Sequence, residues 1–451
     1  MAKVKFCSHI SFLIIYIFLN LHLITPVQAI EIIRDTELEN FTDEIITKLL
    51  DFNKLESADL KIYFINSNEI NAFVTGGKNI FINTELIIEA DDYREYAAVL
   101  AHELAHIIGG HIFKTSIEVS NLSDKALPIY LLGILGAMTG SADVGLAGIM
   151  VGQASVSDGF TYYSRTQEAS ADQAAVRILC DNGIDASYLI NFLKKLEKKE
   201  ISNQGDTKNY KSTHPLVKDR IEWINLSLQN SKNCKHSINP KLEKQFQLLK
   251  AKIHGFTHSH KETLAIYNSK NKAEDLYATA VSKYFKGDHN SSIKNLKELV
   301  EKYPNNPYYK ELLGEIYYAN NDYEKAFLYQ KEAIKEIGEI NDLYFMILGN
   351  YLLAFNDNDK KKESIRYLKK SIQLNSNNAY SWYLLARAYA ETGNIALANY
   401  ATAERYFLVG ERSLSFNFAV KAYKNIEKNT PEWYRSYDLI EILEKEVSTN
   451  R

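Results

Sequence analysis

The pentapeptide His102-Glu103-Leu104-Ala105-His106 decides how the first half of the sequence is interpreted. In a helix, residues four apart differ by about 40° in direction, so His102 and His106 project from one face. Two neutral imidazoles at this spacing bind Zn²⁺ as a pair, and the glutamate between them reaches a zinc-bound water. Zinc can lower the pKa of that water to around 7, and Glu103 can accept its proton as the water attacks a carbonyl. The pattern predicts a zinc hydrolase.

The flanking sequence predicts that this helix is buried. Asp92 with Glu95 three residues later is typical of a helix start, and Gly109-Gly110 is typical of a stop. The segments 98–100 and 107–108 are apolar. Unliganded histidines and a glutamate would be costly in such a helix, whereas a metal would supply their partners. The alternative is a chance pattern on a surface helix.

His111 is the first candidate for a third ligand, because Gly109 follows His106 by three residues as in the metzincin pattern. That pattern requires a histidine at position 112, where this sequence has Ile112. If the helix continued, five residues would rotate His111 by about 140° from His106. We therefore expect His111 to be a helix-end histidine and not a ligand.

A better third ligand lies downstream, in the segment 164–172. The run 167–179 has a strong helical pattern and places Glu168 and Asp172 four residues apart on one face. Glu168 would complete a two-histidine, one-glutamate site and leave a fourth position open for water. Asp172 could accept the free N–H of a ligating histidine and so fix its tautomer. The alternative is that both carboxylates lie on an exposed, solvated face.

A further motif is Thr213-His214-Pro215, with Arg220 five residues beyond the proline. Proline suits the first turn of a helix, which would place His214 at the mouth of that helix. If this loop folds over the site, His214 could stabilise the oxyanion, or occupy the open zinc position and switch the enzyme off. Arg220 could pair with Asp172 or with substrate carbonyls. The alternative is a helix cap with a surface histidine.

The C-terminal part of the chain repeats itself. Ala280, Gly314, Gly349 and Ala386 occupy equivalent positions and are 34, 35 and 37 residues apart. A period near 34 with small residues where two helices touch resembles tetratricopeptide repeats, which stack into a solenoid with a concave binding face. A fifth, atypical unit over 413–446 predicts a cap. The solenoid could bind peptides or proteins, or could only stabilise the other half.

The first thirty residues predict an export signal. Lys3 and Lys5 precede the apolar run 10–24, and a small-x-small end follows at Ala29. The run is shorter than the ~20 residues that a membrane span needs. We expect cleavage after Ala29 and export, with an uncleaved N-terminal anchor as the alternative.

Two cysteines, Cys180 and Cys234, remain once the signal peptide and its Cys7 are removed. In an exported protein two such cysteines can form a disulfide. The alternative is two free thiols.

The composition excludes wholesale disorder and gives no reason to expect a nucleic-acid binder. Of 451 residues, 46% are hydrophobic and 24% are charged, as in ordinary globular proteins. The 53 basic and 56 acidic side chains leave a net charge of only −3. Because phosphate recognition needs clustered positive charge, nucleic acid is not expected among the partners.

Together these motifs are similar to the peptidase family of HtpX and the CAAX prenyl proteases. The similarity also covers the segment 71–82, which independently predicts two short strands around the Gly76-Gly77 turn. An edge strand beside the zinc would let an unfolded substrate pair its backbone with the enzyme. The site that we predict holds one Zn²⁺ per chain through three ligands, and four further residues belong to the catalytic machinery. The ligands are His102, His106 and Glu168, and the catalytic group is Glu103, Asp172, His214 and Arg220.

The exported branch of that family that carries tetratricopeptide repeats implies a role in quality control or assembly of outer-membrane proteins. The resemblance implies a bacterial periplasm as the compartment, unfolded polypeptides as substrates, and the outer-membrane β-barrel assembly machinery as a candidate partner of the repeats. The segment 128–151 is apolar apart from Ser141 and Asp143. It could form a lid over the cleft, contact a membrane surface peripherally, or pack in the core.

We therefore predict a mainly α protein in four parts. These are a signal peptide over 1–29, an α+β zincin-type metalloprotease domain with a small antiparallel sheet over 30–236, a helical connector over 237–272, and an α-solenoid of tetratricopeptide repeats with a C-terminal cap over 273–451. The predicted function is an exported zinc metalloendopeptidase that hydrolyses peptide bonds of unfolded or misassembled proteins. The alternative is a chaperone-like scaffold that binds partners through its repeats, with proteolysis weak or gated by His214.

Overall fold

A computed structural model describes most of the chain. The described residues are 31–51, 60–75, 78–111, 163–201, 214, 218–229, 231, 234, 238–269 and 272–449. The predicted signal peptide 1–29 and the apolar segment 128–151 lie outside these residues, as do Gly76-Gly77, Thr213 and Pro215. Among the helices described, none has both the length and the apolar character of a membrane span.

The N-terminal half contains a small sheet. Its strands are β1 (Ile32–Ile33), β2 (Lys61–Ile65), β3 (Ala72–Thr75) and β4 (Asn79–Asn83), in the spatial order β1-β2-β4-β3. β3 and β4 are antiparallel and form the predicted hairpin, with Ala72 opposite Ile82. β4 is buried along its whole length. Because β3 is the last strand in the spatial order, it lies at an edge of the described sheet.

The sheet is mixed, where the sequence analysis expected an antiparallel one. β2 pairs with β4 in parallel, with Tyr63 opposite Phe81. The chain reverses direction twice between these strands and β3 takes the outer position, so β4 returns beside β2 in the same direction. This pairing depends on contacts between distant residues, which local alternation of apolar residues does not encode.

Six helices are described in the same half of the chain. They are α1 (Thr36–Asp51), α2 (Thr84–Glu89), α3 (Tyr93–Ile108), α4 (Arg165–Asp181), α5 (Ser187–Ile201) and α6 (Lys218–Gln229). α3 is the central one, because it contacts α1, α4, α5 and β3. Nearly every side chain from Tyr93 to His106 is buried. A helix that is buried on all sides belongs to a core, as the apolar flanks predicted.

The predicted ends of α3 are both present. The Asp92 side chain accepts hydrogen bonds from the backbone N–H groups of Arg94 and Glu95. The Glu95 carboxylate accepts one from the backbone N–H of Asp91, at 2.8 Å. Gly110, with a φ of 62°, ends the helix in the left-handed conformation that glycine tolerates.

A disulfide joins Cys180 near the end of α4 to Cys234. The alternative of two free thiols therefore does not hold. The bond spans 54 residues and connects the helix that carries Glu168 with the segment that follows α6. A crosslink of this kind restricts the unfolded chain and so favours the folded state.

The connector is a packed helical segment that both halves share. It consists of α7 (Pro240–Thr257) and α8 (His260–Ile266). Phe246, Leu249 and Ile253 of α7 belong to the core of the N-terminal half, whereas Leu248 belongs to the core of the first repeats. α7 therefore contributes apolar side chains to both cores.

Consecutive helices form the repeat region, and each packs against the next. They are α9 (Ala273–Phe285), α10 (His289–Lys302), α11 (Pro307–Ala319), α12 (Tyr323–Ile337), α13 (Asp342–Leu353), α14 (Asn358–Leu374), α15 (Ala379–Glu391), α16 (Ile395–Leu408), α17 (Arg412–Asn425) and α18 (Pro431–Thr449). A Cβ on Gly349 would lie 2.6 Å from Leu368 of the neighbouring helix, so this small residue does mark a helix contact. The mainly α fold class, with an α-solenoid after an α+β domain, is confirmed.

Candidate metal centre

Four buried side chains converge beside α3. His102 and His106 lie one turn apart on α3, Glu168 lies in the first turn of α4, and His214 precedes α6. One nitrogen or oxygen atom of each residue lies within 4.8 Å of those of the other three. All four side chains are at most 1% exposed. The chain thus concentrates three imidazoles and one carboxylate at a single point in its core.

The spacing of these atoms suits a tetrahedral metal ion. His102 Nε2 lies 3.1 Å from His106 Nε2, and Glu168 Oε1 lies 3.3 Å from the latter. His214 Nδ1 lies 3.3 Å from His102 Nε2 and 3.0 Å from Glu168 Oε1. Ligands about 2.0–2.1 Å from a shared tetrahedral centre are about 3.3–3.4 Å apart. Imidazole nitrogen and carboxylate oxygen are also the ligand types that Zn²⁺ accepts, so both geometry and chemistry fit.

Glu103 lies beside this group. Its side chain is fully buried, and neither carboxylate oxygen has a hydrogen bond among the described residues. Its ion-pair partner is His214, whose Nε2 lies 3.3 Å from Glu103 Oε1. A buried carboxylate needs partners of this kind, because burying an unpaired charge is costly. A water or substrate beside the ligand group would supply further hydrogen bonds.

Arg220 and Asp172 contact two members of the four-residue group, Glu168 and His102, and each other. Arg220 donates from Nε to Asp172 Oδ2 at 2.8 Å and from Nη2 to Asp172 Oδ1 at 2.7 Å. The Nη1 atom of the same guanidinium lies 2.8 Å from Glu168 Oε2. Asp172 Oδ1 lies 3.0 Å from His102 Nδ1, on the other side of that ring from Nε2. One buried arginine thereby holds two carboxylates that face the same histidine.

The charges in the group shift its pKa values in opposite directions. Burial tends to lower the pKa of His214, but the carboxylates of Glu168 and Glu103 outweigh burial and raise it to about 10. Burial, with His102 and His214 nearby, holds the pKa of His106 well below its usual value. Burial would raise the pKa of Glu168, but His214 and Arg220 lower it well below the usual range. An ionised Glu168 and a neutral His106 are the forms that bind metals.

Sequence reasoning missed two residues at the site. The ring of Tyr163 stacks on His106, with 3.8 Å between ring centroids. His111 is not among the four converging residues, as expected, but it is buried, and its Nδ1 atom lies 3.1 Å from His106 Nδ1. A continuing helix would rotate His111 away from His106, whereas the Gly109-Gly110 turn brings His111 back to α3. The Gly-Gly pair was the available signal for His111; nothing distinguished Tyr163 among 30 tyrosines.

The environment of His214 is described only in part. His214 itself lies in the site, but Thr213 and Pro215 are outside the described residues, and α6 is described from Lys218 onward. The expectation that Pro215 begins the helix therefore stays a prediction. The alternative of an exposed surface histidine does not hold, because His214 is fully buried.

Comparisons with known proteins agree with this architecture. Peptidase family M48 matches residues 34–226, and a tetratricopeptide repeat family matches residues 277–339. The chain is 23% identical over 416 residues to the beta-barrel assembly-enhancing protease of Escherichia coli (strain K12), covering 88% of this chain and 81% of that protein. It is 25% identical over 398 residues to the protein of that name from Yersinia pestis, covering 83% and 77%. It is 29% identical over 207 residues to a protease HtpX homolog of Helicobacter pylori, covering 41% and 66%.

The chain is therefore a metallopeptidase that carries a peptidase family M48 domain followed by tetratricopeptide repeats. The predicted enzyme class, a metal-dependent hydrolase acting on peptide bonds, is confirmed. A metal ion belongs to the chemistry of this family.

Proposed function

We propose that this family M48 metallopeptidase is an exported zinc endopeptidase that cleaves unfolded or misassembled proteins. One observation carries the proposal, namely that four metal-ligating side chains meet in the core with the buried carboxylate of Glu103 beside them. Glu103 Oε1 lies 3.3 Å from Nε2 of His214, so this carboxylate borders the ligand group without being one of its four members. A carboxylate in that place is what a hydrolytic site requires of its general base.

In the proposed mechanism, His102, His106 and Glu168 hold one Zn²⁺ per chain. When bound, this ion supplies Lewis-acid chemistry for polarising a carbonyl and acidifying water. Glu103 accepts the proton of the attacking water and returns it to the departing amine. Its position one residue after His102 on the rigid, buried helix α3 keeps its carboxylate close to the ligands.

Asp172 and Arg220 act by orienting the ligands. Asp172 accepts the Nδ1–H of His102, which leaves the Nε2 lone pair of that ring free for the metal. Arg220 fixes Asp172 with two hydrogen bonds and holds Glu168 through Nη1. A planar guanidinium suits this task because it can bind one carboxylate with two donors and still reach a second.

His214 is the proposed gate. Its Nδ1 lies 3.3 Å from His102 Nε2 and 3.0 Å from Glu168 Oε1, which supports a role as the fourth metal ligand in a resting form. Substrate would then have to displace this imidazole, and proteolysis would be slow until it moved. The same observation favours the second candidate function, a chaperone-like scaffold whose proteolysis is weak or restrained.

The remaining parts of the proposal concern location and partners. We propose that 1–29 is a cleaved signal, 30–236 the protease domain, 237–272 the connector and 273–451 the solenoid, and that the protein acts in a periplasm. The relatives named beta-barrel assembly-enhancing proteases support a role in outer-membrane protein assembly. The repeats would bind the partner, with β-barrel assembly machinery as the candidate. The edge strand β3, which contacts α3, offers backbone groups to an extended substrate.

Casein cleavage by the full mature chain tests the proposed function. Glu103→Gln removes the general base with little change in shape, so we expect cleavage to fall by about 10²–10⁴-fold. His214→Ala should raise cleavage above that of the unchanged protein. The bound metal content of both variants is the control. If Glu103→Gln cleaved casein as well as the unchanged protein, the proposed mechanism would be wrong; if no form cleaved it, the scaffold would be favoured.

A further inference from the structure

We propose that His111 is a positioning residue that accepts the Nδ1–H hydrogen of His106 and so fixes the tautomer and ring orientation of that ligand. The inference rests on the proposed zinc site, in which His106 binds through Nε2. His111 lies outside the four converging residues. The spacing of the sequence motif does not suggest a role for it in metal binding.

The two nitrogens of His106 face different neighbours. Nε2 lies 3.1 Å from His102 Nε2 and 3.3 Å from Glu168 Oε1, so it points to the ligand group. Nδ1 lies 3.1 Å from His111 Nδ1. A neutral imidazole carries one proton, and when Nε2 gives its lone pair to a metal that proton sits on Nδ1. Buried as it is, this N–H needs an acceptor, and His111 Nδ1 lies at hydrogen-bond distance.

The two ligand histidines would thus be oriented by different chemistry. The Nδ1 atom of His102 lies 3.0 Å from Asp172, a carboxylate held by Arg220. The corresponding atom of His106 lies beside a second imidazole. A carboxylate increases the basicity of a ligating histidine more than a neutral acceptor does. Zinc ligands need an outer partner of one kind or the other to hold the ring in place.

A short turn places the ring of His111 against Gly109. A Cβ on Gly109 would lie 2.5 Å from His111 Nε2, so the imidazole packs directly against the glycine backbone. Gly110 adopts a φ of 62°, which reverses the chain after α3. His111 is consequently 4% exposed.

The backbone of His111 is also tied to the helix that carries Glu168. Gln167 donates from Nε2 to the carbonyl oxygen of His111 at 3.3 Å. The other end of the Gln167 amide accepts from the backbone N–H of Ser164 at 2.8 Å, as part of a capping box. The end of α3 and the start of α4 are therefore fixed relative to each other next to the site.

Three substitutions in the full chain separate hydrogen bonding from packing. His111→Phe keeps an aromatic ring at this position and removes the acceptor. His111→Gln restores a side-chain oxygen that can accept the Nδ1–H. Gly109→Ala leaves His111 in the sequence but displaces its ring, since the added Cβ has no room.

The measurement is the zinc dissociation constant, obtained by competition with a chromophoric chelator. We expect His111→Phe and Gly109→Ala to bind zinc about 10–100-fold more weakly than the unchanged protein, the usual cost of losing an outer hydrogen bond to a ligand. His111→Gln should recover most of the affinity. Melting temperatures of the metal-free proteins close to that of the unchanged chain would exclude a general loss of folding.

Two results would overturn the inference. One is a zinc affinity of His111→Phe equal to that of the unchanged protein. The other is an equal loss in His111→Phe and His111→Gln, which would assign the effect to shape and not to hydrogen bonding. A different failure, no zinc bound by the unchanged protein, would instead reject the proposed function on which the inference rests.

Discussion

The metal centre and the repeat region are stabilised in different ways. At the centre, Arg220, Asp172 and Glu168 are almost completely buried and depend on one another for ion pairs. In the repeats, charged pairs such as Arg387 with Glu391 lie at the surface, and apolar residues spread along successive helices form the cores. Removing one member of a buried charged group leaves another charge unpaired. Removing one surface charge changes little. Buried charge pairing is therefore concentrated in a few residues of the first region, while apolar packing is distributed over many residues of the second.

The largest expected difference comes from replacing one arginine in each region. Arg220→Met leaves two buried carboxylates without their cation, and we expect the free energy of unfolding of the metal-free protein to fall by about 3–5 kcal/mol. Arg387→Met, whose side chain is 43% exposed, should cost less than about 1 kcal/mol. Urea unfolding followed by circular dichroism measures both. Equal losses would contradict the contrast between the regions.

Bound zinc should stabilise the helices of the metal centre and leave the stability of the repeat region unchanged. At a free zinc concentration about 1,000-fold above its dissociation constant, we expect a stabilisation of about 4 kcal/mol. Hydrogen exchange with mass spectrometry, with and without chelator, should show this protection in α3 and α4, which carry the ligands. Protection of α13–α16 should stay unchanged. Equal protection throughout the chain would indicate that the two regions unfold as one unit.

A substitution in the repeats should lower stability and leave the chemistry intact. Gly349→Ala adds a Cβ 2.6 Å from Leu368, and such overpacking costs about 1–3 kcal/mol. Casein cleavage per folded molecule should not change. The double substitution Gly349→Ala with Leu368→Ala should cost less than the sum of the two single changes, because the smaller side chain makes room. Additive losses would place the strain elsewhere.

The last prediction concerns a carboxyl group of the repeat region, and its effect appears only at high pH. Burial raises the pKa of Glu311 to about 8; Lys252 opposes the shift, and Glu315, Asp35 and Glu37 add to it. Because the folded form holds this proton more tightly than the unfolded chain, its stabilising effect is present below about pH 4.5 and is lost as the pH rises through about 8.

Glu311→Gln keeps the shape of the protonated side chain. We therefore expect its melting temperature to exceed that of the unchanged protein by a few degrees at pH 9 and by little at pH 5. Glu324→Gln, at an exposed position of α12, is the matched control and should shift neither value. A difference that did not grow with pH would show that Glu311 ionises normally in the folded protein.

The parts of the molecule that sequence could predict are those that depend on local spacing. The four-residue interval between His102 and His106 fixes their common face of α3, and the interval between Glu168 and Asp172 does the same on α4. The 34-residue period predicted the repeats. These patterns were sufficient to predict the α+β domain and the solenoid after it.

The parts that escaped prediction depend on contacts between distant residues or on a local break. The parallel pairing of β2 with β4 follows from the path of the chain around β3. The bond between Cys180 and Cys234 requires a proximity that spacing cannot give. The end of α3 at Gly109-Gly110 was predicted, but the contact between His111 Nδ1 and His106 Nδ1 that follows from this turn was not.

The measurement that tests the central claim most directly is anomalous X-ray diffraction at the zinc absorption edge, from crystals of the full mature chain. The account predicts a single zinc peak at about 2.0–2.2 Å from the ligand atoms of His102, His106, Glu168 and His214. No peak at this position, or a zinc ion bound elsewhere with His102 and His106 unliganded, would contradict it.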